Sequence, residues 1–136
     1  MAQPTLLSIA KADLITAERC VDSENKHIKH HAAYHTEQAI EKTLKFLIEA
    51  KKGSFPWGHD IAKLVYEAEK YGIMVPKEIK DNADVYTEWE VTSRYYPQKA
   101  IRRDTIKKAI NITKEWHESK DMRDKNDNSR VKTGDF

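Results

Sequence analysis

The chain has 136 residues, with 24 Lys and Arg against 22 Asp and Glu, a formal net charge of +2, 39% hydrophobic residues, and only four Gly and four Pro. That length suits one domain with its own core, and the balance excludes a strongly basic wrapper of nucleic acid, a collagen-like repeat and a low-complexity chain. The single cysteine, Cys20, excludes an internal disulfide or a multi-thiolate zinc site, and no apolar run approaches the roughly 20 residues that span a bilayer, so an unanchored cytoplasmic protein is expected. After Pro4, apolar Leu6, Ala10, Leu14, Ala17 and Val21 recur at helical spacing and define a first helix. Asp22, Ser23, Glu24 and Asn25 supply turn and cap residues before a second helix, expected from about Lys29 to Gly53. Ala33, Ile40, Leu44, Leu47 and Ile48 share one face of it, widened by Ala39, Thr43 and Phe46 to roughly half the circumference, which marks the central helix of a bundle.

The loop from Gly53 to Gly58 is the clearest break, and a third helix is expected from about His59 to Gly72. Pro76 opens a short helix, a longer one runs from about Asn82 until Pro97 forbids its continuation, and a last one runs from about Lys99 to Ser119. Nothing alternates with period two, so the fold class is all-α: an up-and-down bundle of four or five helices, residues 1–120, with a short extra helix before the fourth long one. Residues 121–136 read as a polar mobile tail.

Several clusters carry chemistry. His27, His31 and His35 step by four beside His30, a spacing that fits either two imidazoles on a metal ion or a bare exposed surface. No third ligand stands at an obvious position, and no metal or cofactor is expected. His31, His35, Gln38, Lys42 and Glu49 form one polar stripe within roughly 60°, either a solvated side or the floor of a groove. Near Pro97, Arg94 sits where a cation meets helix-terminal carbonyls, with Glu41 as a candidate partner, while Asp60 is placed to cap the third helix and His59 to cap it or bridge to a neighbour. On the last helix Lys99, Arg103, Lys107 and Lys114 make a basic face opposite Ile101, Ala109, Ile112 and Trp116. Ile106 and Ile110 are expected beside that face as a dimer or partner contact, with a solvated basic side carrying two stray isoleucines as the alternative. Trp57, Trp89, Trp116, Tyr86, Tyr95 and Tyr96 suit core or interface; of these Tyr95 and Tyr96 best suit base stacking, with core packing expected for at least one of the two.

The second-helix segment Tyr34-His35-Thr36-Glu37-Gln38-Ala39-Ile40-Glu41-Lys42-Thr43-Leu44-Lys45 resembles the HEPN domain family. Lys11-Ala12-Asp13, His59-Asp60-Ile61 and Arg94-Tyr95-Tyr96-Pro97 agree with it in order. The resemblance implies a helical bundle that dimerises, accompanies a nucleotidyltransferase as in toxin–antitoxin pairs, and offers a groove for nucleotides or RNA. Candidate groove residues are Gln38, Lys42, His59 and Arg94, with Tyr95 at the rim. RNA-cleaving members carry an Arg, four to six residues and a His. That spacing is absent here, so a non-catalytic binding module is expected, the alternative being a nuclease built from His31 or His35 and Arg94. Neither a P-loop nor a nucleotidyltransferase motif is present, so the chain is not the transferase itself.

Overall fold

The computed structural model describes residues 5–120 and Met122, and the segment expected as a tail otherwise lies outside the described residues. Six helices follow one another: α1 (Leu6–Cys20), α2 (Lys26–Lys52), α3 (Ile61–Lys70), the short α4 (Lys77–Asp81), α5 (Ala83–Tyr95) and α6 (Arg103–His117). The described residues contain no strand. No described helix is long and apolar enough to cross a membrane.

Local chemistry sets the boundaries. Thr5 accepts a hydrogen bond from Ser8 N at 3.0 Å and starts α1. Asn25 Oδ1 accepts from His27 N and Ile28 N at 2.9 and 3.2 Å, so α2 begins at Lys26, three residues before the expected start. Truncating that cap leaves two amides without their partner; Asn25→Ala is expected to cost about 1 kcal/mol in a chemical melt. At the other end Gly53 takes φ +88° and returns its amide to Glu49 O, a conformation that side chains with a Cβ resist. Asp60 Oδ1 accepts from Lys63 N at 3.2 Å and caps α3 as the sequence suggests.

Helix α2 is the centre of the bundle, packing against α1, α3, α5 and α6. Its inner face buries Ala33, Ile40, Leu44, Leu47 and Ile48, as the periodicity predicts. Threonines that enter this core, Thr36, Thr43 and Thr113, return their hydroxyls to the carbonyls four residues earlier and so bury no unpaired polar atom.

The register of α6 corrects the expectation for its face. Ile106 and Ile110 are buried in the core of the monomer, at 0% and 4% exposure, and cannot form an open partner surface. The apolar arc looks too narrow in the sequence because Thr113 and His117 belong to it. His117 Nε2 lies 2.8 Å from Thr43 Oγ1, whose own proton goes to Ala39 O, so the imidazole donates through Nε2. Burial, then Lys11, pushes its pKa down to about 4, which keeps the ring neutral in the core. Most of the basic face is spent within the chain. Arg103 donates to Val21 O and Ser23 O at 2.9 and 2.8 Å, Lys107 pairs with Asp22 and Lys114 with Glu18, while Lys99 is exposed. These contacts fasten α6 to the end of α1.

Candidate functional site

The polar stripe of α2 lies on the side of the helix that faces neither the apolar core nor α6. Gln38 and Lys45 are buried on it, Tyr34, His35 and Lys42 are half-buried, and only its ends, His31 and Glu49, are exposed. It is therefore the floor of a groove rather than a solvated face. Asp13 of α1 reaches it from one side, and α5, with Glu90, Ser93 and Arg94, from the other. Ser93 Oγ ties that wall to the floor by donating to His30 O at 2.9 Å.

On the α1 side, Asp13 takes both polar neighbours. Its Oδ1 is 2.9 Å from His35 Nδ1 and its Oδ2 accepts from Lys42 Nζ at 2.7 Å. Lys42 is thus held on an aspartate of α1 and does not line the pocket on the α5 side.

On the α5 side a pocket of about 240 Å³ is lined by His31, Tyr34, His35, Ser93 and Arg94. The ring of Tyr34 meets that of His35 edge-on, with centroids 5.2 Å apart. Arg94 pairs through Nη1 with Glu90 Oε1 at 3.1 Å, one helical turn earlier, and not with Glu41 as the sequence suggests. A single carboxylate contact leaves most of the guanidinium fork available. His30 does not join its neighbours, because its ring is buried between the helices, where burial first and then Lys26 and Lys29 lower its pKa. Among the described residues no three or more His, Cys, Asp or Glu are arranged to hold a metal ion.

Deeper in the groove stands an acidic cluster that sequence reasoning missed. Glu37 is fully buried, its Oε2 accepting from Gln38 Nε2 at 2.8 Å and its Oε1 without a partner. Burial, then the charges of Glu41 and Glu90, push its pKa up to about 9, so the carboxyl is neutral at physiological pH. Glu41, one turn on, accepts from His59 Nδ1 at 2.7 Å and lies 3.5 Å from Lys45 Nζ. His59 therefore bridges to α2 while its side chain stays largely exposed. The visible signal was the spacing of Glu37 and Glu41 on a helix whose apolar arc marks it as central.

The expected groove residues thus fall into three places: Arg94 at the pocket, Gln38 and His59 beside the buried acids, and Lys42 on Asp13. Tyr95 and Tyr96 are both exposed on the far side of Arg94 in sequence, and Trp57, expected in core or interface, is 94% exposed. Trp89, Trp116 and Tyr86 are in the core.

Comparison with known proteins agrees with this architecture. The crystal structure of TT1696 from Thermus thermophilus superposes with a TM-score of 0.65 and 22% sequence identity, covering 81% of this chain and 88% of that one. At that identity the likeness speaks for the fold. No curated protein is similar enough to count as a match. The model of the HEPN domain matches residues 4–122, nearly all of the described bundle. The chain belongs to the HEPN domain family.

Proposed function

We propose that this protein is a binding module of the HEPN type, which holds the phosphate of a nucleotide or RNA in the pocket between α2 and α5. One observation carries the reading: Arg94 of α5 and the His31–His35 pair of α2, about sixty residues away in sequence, line a single cavity of about 240 Å³ together with Tyr34 and Ser93. A guanidinium and the imidazole of His31 are donors suited to phosphate oxygens, and the Tyr34 ring offers an apolar edge to a base or sugar. The dimer and the nucleotidyltransferase partner implied by the family belong to the same proposal. Their contact is moved from α6 to the exposed Val91, Tyr95 and Tyr96 around Arg94.

Calorimetric titration of ATP, GTP and a short single-stranded RNA at two salt concentrations tests it. Saturable binding is expected, weakened about tenfold or more by Arg94→Ala and unchanged by Lys114→Ala. Heat that vanishes steeply with salt and ignores Arg94→Ala would assign the phosphate to diffuse surface charge and overturn the reading. RNA cleavage is a second reading, favoured by imidazoles and an arginine around one pocket in spite of the missing spacing. Loss of full-length labelled RNA that requires both His35 and Arg94 would establish it.

A further inference from the structure

His117 closes α6 with its ring turned into the core and one of its nitrogens unused. Thr43 Oγ1 has a single proton and gives it to Ala39 O at 2.6 Å, so the hydroxyl oxygen accepts from His117 Nε2 at 2.8 Å and the lone pair of the neutral ring is left on Nδ1. A second proton on the ring is opposed by burial and then by the ammonium of Lys11, which together hold the pKa at about 4. Among the described residues Nδ1 has no hydrogen-bond partner, yet it is not sealed in as the two nitrogens of His30 are. The ring lines a cavity of about 230 Å³ between α1 and α6, together with Lys11, Leu14, Ile15, Glu18, Lys114 and Glu118.

The charges around that cavity are not equivalent. Lys114 is spent on Glu18 at 3.1 Å, whereas Lys11 is exposed and makes no ion pair among the described residues. Of the four charged side chains, Lys11 alone bears on the ring, so the field at Nδ1 is positive. An ammonium is a poor guest there, and a neutral O–H or N–H carried by an anion is a good one. Leu14 and the half-exposed Ile15 give the cavity its apolar wall. Its volume is below the range of about 300–1,000 Å³ that holds drug-sized molecules, which limits the guest to a small one.

We propose that this cavity is a binding site for a small, largely apolar acid that also carries a hydroxyl or N–H group. The acid meets Lys11, the donor meets His117 Nδ1, and the apolar body lies against Leu14 and Ile15. Thr43 is a positioning residue, since its bond to Nε2 leaves an acceptor facing the guest. The site shares no residue with the pocket between α2 and α5 and does not rest on the phosphate-binding reading.

Nitrogen-15 NMR of the histidine side chains reads the ring first. His117 is expected to carry its proton on Nε2, and a ring protonated on Nδ1 overturns the proposal. The probes are the meta and para hydroxyphenylacetates and indoleacetate, added to the same sample. At least one of them is expected to shift the Nδ1 resonance saturably. It should bind about fivefold more tightly than the matching acid with a methyl group in place of the donor, and than the matching alcohol without the acid. Lys11→Met should erase the advantage over the alcohol and keep the advantage over the methyl compound, while His117→Phe, followed through the ligand signals, should do the reverse. Ile15→Trp narrows the mouth of the cavity and should abolish binding. Lys11 and Ile15 are both exposed, so these two variants keep the fold even where His117→Phe does not. No shift of the ring with any probe at about 10 mM, equal binding of the methyl compound, or binding that survives Ile15→Trp overturns the proposal. Arg94→Ala should leave the titrations unchanged; a loss there would assign the probes to the other pocket and overturn it as well.

Discussion

Ile106→Asp is expected to abolish the fold. Ile106 is among the largest fully enclosed side chains of the molecule, at 0% exposure on α6, and the substitution places a carboxylate where neither water nor a cation is at hand. Loss of the apolar burial alone, as in Ile106→Ala, costs about 2–5 kcal/mol. Burying an unpaired charge adds enough to exhaust the roughly 5–15 kcal/mol that holds a domain together. Circular dichroism should find little helix in Ile106→Asp, a lowered melting temperature in Ile106→Ala, and no change beyond about 0.5 kcal/mol in Lys108→Asp, whose side chain is exposed two positions on. A helical, monomeric Ile106→Asp protein would mean that this face of α6 is a surface after all.

Glu37→Gln is expected to make the protein more stable, most of all at alkaline pH. The Glu37 carboxyl ionises near its ordinary value of 4.5 in the unfolded chain but only at about 9 in the fold. The unfolded chain therefore gives up this proton first, and the contribution of Glu37 to stability, greatest below pH 4.5, declines as pH rises and levels off above about 9. At neutral pH this is a net cost, and relieving it should raise the melting temperature by several degrees. Glutamine keeps an oxygen for Gln38 Nε2 and nearly the same shape, so little packing is lost. Thermal melts of both proteins from pH 5 to pH 9 test this: the gap should widen steadily with pH. A constant gap would indicate a packing effect, and a destabilised variant would show that the neutral carboxyl makes a bond that an amide cannot replace.

How much of this is legible in the sequence differs from element to element. The helices other than the short α4 are, because each repeats apolar residues at 3.6-residue spacing and several end at a residue that ends helices: Gly53, Gly72, Pro97. The groove floor is half legible. A polar stripe on the most apolar helix stands out, yet only the flanking α1 and α5 decide that it is covered rather than wet. The phase of α6 is hidden because a buried Thr and a buried His look like surface residues until Thr43 and the backbone are seen to satisfy them. Least legible are the partners. Asp13 meets His35 and Lys42 across 22 and 29 residues of chain, and Arg94 pairs with Glu90 on its own helix rather than with the more distant Glu41. Choices of that kind depend on how two helices rotate against one another, which no local pattern encodes.

Helix α2 carries His31, Tyr34, His35, Gln38, Lys42 and Lys45 on one continuous rod, capped at one end by Asn25 and closed at the other by Gly53. Every donor it offers is therefore held at a set height and angle before a guest arrives. Docking costs little ordering entropy on this side, and discrimination can rest on single atoms. In the proposed binding role the wall formed by α5 and the chain around Tyr95 and Tyr96 would govern how long a guest stays, while the rod would govern which guest is admitted.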